Sequence, residues 1–294
     1  MYIIMYKIKV FCPFAPSKNC KEIYERINYS EEILFYGKDK KYIFTENDDY
    51  THAIIINTIM PNLTIPKENV IGLAFEPIFF LGLNNIFIEY AKKNIGKYFI
   101  GDKYDLPEPF IEHFGYMWHS RPPKEIEIKQ KLMSIIVSEK KSAPGHKYRH
   151  ELVKCIIDNN LPIDIYGRGS NNYSIQNQNK EGNKINSQIM GCFNDVEPYE
   201  NYMFSICIEN YKCGHYFSEK IMTPLMFNCM PIYYGCLNID SYVENNLILT
   251  GNISEDLILI KNVLQNPSIY YKKTYTEKNI KAVNLIQNLP NLFI

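Results

Sequence analysis

Four groups of residues in this chain have types and spacings that could do chemistry. The first lies between Phe204 and Gly235, FSICIENYKCGHYFSEKIMTPLMFNCMPIYYG. An acid–amide pair, Glu209-Asn210, ends an apolar run, and Tyr216, Glu219 and Lys220 gather around the start of the next helix. Positions i, i+3 and i+4 share one helical face, so these three side chains are expected together. A lysine at a helix N-terminus opposes the macrodipole, which favours anions there. Lys220 therefore predicts an anion nearby, although a solvated helix face would also explain Glu219 and Lys220. In the second group, Ala143 to His150 (APGHKYRH), Arg149 offers a planar fork that matches phosphate oxygens and keeps its charge. His146 and His150 have the spacing of a zinc pair, but no third ligand accompanies them. The third is Phe75-Glu76-Pro77, a carboxylate leaving the end of an apolar run. Such a group can be desolvated into a general base; Asp102 and Asp105 are less enclosed rivals. The fourth, Asp164-Ile165-Tyr166-Gly167-Arg168-Gly169, ends a strand in glycines, and Gly167 allows close backbone approach at positive φ.

The elements that must position these groups follow from the apolar runs. Strands are predicted at Lys7–Phe14, Ala53–Asn57, Val70–Phe75, Lys97–Gly101, Met133–Ser138, Ile163–Tyr166, Met203–Glu209 and Pro231–Tyr234. Helices are predicted at Lys147–Asp158 and Glu219–Asn228, with a helical C-terminal stretch from Pro267 to Ile294. Pro77–Lys93 reads as a helix or a packed loop. The strands carry few alternating polar residues, which suits parallel strands covered on both faces. Strands alternating with helices argue for α/β architecture. Arg121-Pro122-Pro123-Lys124 reads as a linker, dividing the chain into 1–121 and 122–294, with the last helix able to pack back on the first part. Gly169 to Gln188 is almost without apolar residues and reads as a surface loop. Two α/β domains suggest a cleft, and ligand sites favour domain interfaces and the carboxyl ends of parallel strands.

Composition narrows the function classes. The 294 residues carry 32 basic and 32 acidic side chains, so there is no global attraction to nucleic acid or anionic membranes. Phosphate recognition must then be local. No apolar run reaches the roughly 18 residues of a membrane span, and MYIIMYKIKVF reads as a strand rather than a leader. The expectation is a cytoplasmic protein without an anchor. The eight cysteines form no CxxC pair or regular framework and read as reduced, with Cys155, Cys207 and Cys229 in apolar segments. No Asp-Xaa-Asp occurs, so a metal held by that motif is not expected. No Gly-Xaa-Ser-Xaa-Gly elbow occurs either, so a hydrolase of that type lacks its nucleophile.

Taken together, the chain resembles glycosyltransferase family 10, the α-1,3/1,4-fucosyltransferases. The resemblance rests on FSICIEN, YFSEK and PIYYG in that order, and is specific over Asn201–Tyr242. It is looser from Ser134 to Gly167, and before the linker only Phe-Glu-Pro and the strand order are alike. Tyr234 stands where the family usually has tryptophan, and Cys229-Met230 replaces a step of small residues. The resemblance implies a GT-B-like fold: two Rossmann-type α/β domains facing each other across a cleft, an N-terminal acceptor-side domain and a C-terminal donor domain. It implies inverting, metal-independent transfer from GDP-fucose, with no cofactor, to a hydroxyl of an oligosaccharide or glycoconjugate. Glu76 would be the base; Arg149, Tyr216, Glu219 and Lys220 would hold the donor, with Glu209, Asn210 and Gly167 beside them. Another nucleotide-activated sugar as donor, or an inactive binding protein of the same fold, are the rival readings.

Overall fold

The structure is a computed structural model and describes residues 6–27, 42–125, 128–173 and 188–293, excepting the side chain of Pro290. The chain divides into two compact units. The first comprises Met1–Arg121, Cys213–Ser218 and Lys281–Ile294; the second comprises Pro122–Lys212 and Glu219–Ile280. The six residues Cys213–Ser218, grouped with the second part by sequence, thus belong to the first unit.

The first unit contains β1 (Tyr6–Phe11), α1 (Ser17–Ile27), β2 (Tyr42–Thr45), β3 (His52–Ile56), β4 (Val70–Leu73), α2 (Ile78–Leu81), α3 (Asn85–Asn94), β5 (Lys97–Ile100) and β6 (Phe110–Glu112). Its six strands pair in the order β2-β1-β3-β4-β5-β6, all parallel. β3 and β4 are buried at every position, as expected of central parallel strands covered on both faces. Ala53, Ile55, Val70, Phe87, Ala91 and Tyr98 meet in its core. β1 ends before the predicted Phe14, because Pro13 has no N–H for a ladder. Sequence reasoning assigned no element between Phe14 and Ala53. There α1 buries Cys20, Tyr24 and Ile27, an i, i+4, i+7 stripe diluted by the charged residues around it.

The second unit contains β7 (Lys131–Ile136), α4 (Pro144–Asp158), β8 (Asp164–Tyr166), β9 (Gln188–Gly191), α5 (Glu197–Glu200), β10 (Tyr202–Ile208), α6 (Glu219–Met226), β11 (Met230–Tyr234), β12 (Leu247–Ile248), α7 (Ile253–Gln265), α8 (Pro267–Tyr270) and most of α9 (Glu277–Val283). α10 (Leu285–Leu292) belongs to the first unit. The sheet order is β12-β11-β10-β7-β8-β9, again all parallel. Counted within this unit, that is the 3-2-1-4-5-6 order of a doubly wound nucleotide-binding sheet, whose direction reverses between β7 and β10. Met133, Ile135, Leu152, Phe204, Ile206 and Ile232 form the core beneath it.

Several boundaries differ from the sequence reading. α4 starts at Pro144, three residues early, because proline suits the first helical turn. α6 stops at Met226 rather than Asn228. Pro224 lacks the N–H that would continue the ladder, and Asn228 turns left-handed (φ 51°), its side-chain oxygen accepting from the Thr274 and Tyr275 amides. The segment expected to be one loop contains regular elements at its ends: residues 168–172 form a 3-10 turn and Gln188 opens β9. Residues 174–187 lie outside the described residues. Among the described residues no helix is long and apolar enough to cross a membrane.

Candidate functional site

The second unit gathers Arg149, Glu209, Asn210, Glu219 and Lys220 at the reversal point of its sheet. α4 is pinned to the end of β10: the Gly145 amide donates to the Asn210 carbonyl at 2.9 Å. A Cβ on Gly145 would collide with the Glu209 carbonyl, so only glycine lets the helix approach this closely. One turn later Arg149, buried, donates from Nη2 to the Ile208 carbonyl. Burial lowers its pKa while Glu209 opposes that shift, and a guanidinium keeps its charge throughout.

Glu209 is fully buried, and its carboxylate lies 3.4 Å from Lys220 Nζ. Gly235, the last residue of PIYYG, makes the room, since a Cβ there would overlap the Glu209 side chain. Lys220 also meets Glu219 at 3.2 Å; its side chain is 25% exposed and that of Glu219 is 54% exposed. Burial pulls Lys220 down, but the two carboxylates outweigh it and raise its pKa above the ordinary value. The anion inferred from Lys220 is therefore, in the first place, a protein carboxylate eleven residues upstream. Glu209 anchors one side of a two-cation cluster, with Lys220 and Glu219 at its more exposed side.

Supporting contacts surround this cluster. His146 Nδ1 accepts from the Ala143 amide at 3.2 Å, closing the first turn of α4. His150 is engaged by the Tyr173 hydroxyl (2.6 Å) and the Ser138 carbonyl (2.9 Å). The two histidines thus serve separate contacts rather than a zinc pair. Gly167 has φ 95°, and a Cβ there would strike the Val137 carbonyl at the end of β7, in keeping with the sequence argument for a glycine. Sequence reasoning missed Asp256. This buried carboxylate accepts from Tyr148 Oη (2.5 Å), Thr250 N (2.8 Å) and Gly251 N (2.9 Å), tying α4 to α7.

The first unit carries Glu76, Asp102, Asp105 and Tyr216. Glu76 sits half-buried between the end of β4 and Pro77, which precedes α2. The backbone just before it is fixed from two sides. Asn57, left-handed at the end of β3, accepts the Phe75 amide at 2.8 Å, and Gly115 lies against the Ala74 carbonyl. Asp102 is already engaged, accepting the Gly214 amide at 3.0 Å, and Asp105 is exposed. His215 lies 3.2 Å from Glu112, and Phe217 packs on Phe114 with centroids 4.4 Å apart. Tyr216 is buried in this strap, with its Cβ against Gly101. It precedes α6 and does not share a helical face with Glu219 and Lys220, contrary to the spacing argument.

Residues 126–247 match the family model described as glycosyltransferase family 10 (fucosyltransferase), C-terminal domain. The chain is 29% identical over 129 residues to "GDP-fucose protein O-fucosyltransferase 3" of Xenopus tropicalis, covering 42% of this chain and 25% of that protein. It is 26% identical over 149 residues to "Alpha-(1,3)-fucosyltransferase B" of Drosophila melanogaster, covering 48% and 31%. The matches thus span a quarter to a third of these relatives' length. Among solved structures, an α1,3-fucosyltransferase with GDP superposes with a TM-score of 0.52 at 13% identity, covering 93% of this chain and 82% of that one. TarM superposes with a TM-score of 0.51 at 13% identity, covering 82% and 54%. At such identities these two likenesses concern the fold alone, which is GT-B-like in having two parallel-sheet α/β units. Through residues 126–247, which include the buried Glu209 and its partner Lys220 at the sheet reversal, the chain is similar to glycosyltransferase family 10.

Proposed function

We propose that the chain is an inverting fucosyltransferase that moves fucose from GDP-fucose to a hydroxyl of a glycan acceptor. The observation that carries this reading is the Arg149–Glu209–Lys220 cluster at the reversal point of a nucleotide-binding sheet, inside the segment that matches the family. The two relatives described above are both fucosyltransferases by name, which supports the choice of sugar.

The roles follow from the chemistry of the groups. Glu76 accepts the proton of the acceptor hydroxyl as its oxygen bonds to the anomeric carbon. The bond from that carbon to the diphosphate oxygen breaks on the opposite face. Arg149 and Lys220 meet the charge that develops on the departing diphosphate without a metal ion. Preorganised charge of this kind is usually the largest catalytic contribution. Glu219 accepts from sugar or ribose hydroxyls, Asn210 and Gly167 line the nucleotide side, and Tyr216 packs against the donor. Glu209 holds Lys220 in place.

The experiment is a transfer assay paired with GDP calorimetry. Glu76→Ala is expected to lower transfer by about 100-fold or more, the range of a lost general base, with GDP affinity unchanged. Full transfer in that variant would remove Glu76 from the role and shift attention to Asp102 and Asp105.

A further inference from the structure

The first sheet has its own reversal point, which the donor chemistry leaves unused. Its order β2-β1-β3-β4-β5-β6 changes direction between β1 and β3, and in open parallel sheets ligands bind at the carboxyl ends flanking such a point. The chain leaves β1 there as Cys12-Pro13-Phe14-Ala15-Pro16. Phe14 is 57% exposed. Its ring stands perpendicular to Trp118, centroids 5.6 Å apart, and lies 6.4 Å from Phe75, the residue before Glu76. The loop is stiff: two prolines fix its backbone, and Ser17 Oγ closes it onto the Val10 carbonyl at 2.7 Å. Burying Phe14 would be favourable, so an exposed aromatic on a stiff loop at a ligand-binding end of a sheet is costly unless something covers it.

We propose that Phe14 is a platform for the acceptor, stacking against the apolar face of a pyranose ring. The slightly positive C–H groups of that face meet the negative face of the aromatic ring. This assignment rests on the reading of Glu76 as the base: Phe14 follows β1 and Glu76 follows β4, one strand apart in the sheet, and the ring of Phe75 links them. Phe14 orients the sugar and touches no reacting atom. An apolar platform also suits an uncharged acceptor, in contrast to the charged cluster of the second unit.

Trp118 is the only tryptophan in the chain and lies against Phe14, so its fluorescence reports on the platform. The full chain is titrated with galactose, N-acetylglucosamine and N-acetyllactosamine, and GDP binding is measured by calorimetry on the same samples. Wild-type protein is expected to give a saturable change with at least one sugar. Phe14→Ala should raise that Kd about fivefold, as loss of a stacking contact does, while Phe14→Tyr stays close to wild type. GDP affinity should be the same in all three. Equal sugar affinity in Phe14→Ala, or no response of the wild type to any of the three sugars, overturns the platform. Failure of the wild type to bind GDP would instead strike the parent reading, which keeps the two outcomes apart.

Discussion

Lys220 carries the sharpest lesson at the scale of single residues. Its sequence position marked it as a cation needing an anion, which was right about the need and incomplete about the source. Glu209 is eleven residues away, and only the fold, with Gly235 making room, brings it to 3.4 Å. The place of Arg149 beside a strand end and the left-handed backbone of Gly167 (φ 95°) were legible because both depend on local chemistry. Asp256 was not legible, because the donor that ties it to α4, Tyr148, lies more than a hundred residues upstream, beyond its local donors Thr250 and Gly251. The pair Glu209 and Lys220 yields a prediction that separates folding from binding. Lys220→Met strands a buried carboxylate and should cost stability by about 3 kcal/mol or more, while weakening GDP binding at least about 10-fold. Adding Glu209→Gln should restore much of the melting temperature without restoring GDP affinity. Recovery of both together would make Lys220 a structural residue only.

The strands made of aliphatic runs, β3, β4, β10 and β11, were readable as elements because burial on both faces leaves an uninterrupted apolar signal. β6, β9 and β12 have only two to four residues and are mostly exposed, so they show neither a period nor a buried apolar run, and were missed. The order of strands was not readable at all, since neighbours such as β7 and β10 are joined by contacts between Ser134 and Ser205 that no local pattern encodes. Element packing also sets a pH dependence. His52 opens β3 between the rings of Tyr6 and Phe293, and burial pulls its pKa from 6.5 down to about 4. His146, which closes the first turn of α4, is also lowered, by burial first and then by Arg149 and Lys140. Depressed histidines bind fewer protons folded than unfolded, so their contribution is complete above pH 6.5 and is lost as pH falls toward the folded values. Lowering pH from 7 to 5.5 should therefore reduce the melting temperature, and His52→Asn should make that fall shallower. A melting temperature that rises over this range would contradict the burial of these rings.

At the scale of the whole molecule, a balanced net charge excluded global electrostatics as the source of recognition, and the structure shows where the local charge is concentrated. In the second unit, two cations and two carboxylates sit at the sheet reversal; in the first, a half-buried glutamate and an exposed phenylalanine follow strands β4 and β1 of one sheet. On the proposed reading, that division of labour, charge for a nucleotide and an apolar ring for a sugar, serves a transferase of two unlike substrates. The C-terminal likeness to the family was legible in FSICIEN, YFSEK and PIYYG because those motifs encode the buried Glu209 and the start of α6. The placement of Cys213–Ser218 with the first unit was hidden, because its anchors, Asp102, Glu112 and Phe114, lie about a hundred residues upstream. The account stands most directly on the identity of the donor. A thermal-shift and turnover panel of GDP-fucose, UDP-glucose and dTDP-glucose, followed as release of the free nucleotide, is predicted to show stabilisation and turnover with GDP-fucose alone. Stabilisation by a UDP or dTDP sugar with none by GDP-fucose would contradict it.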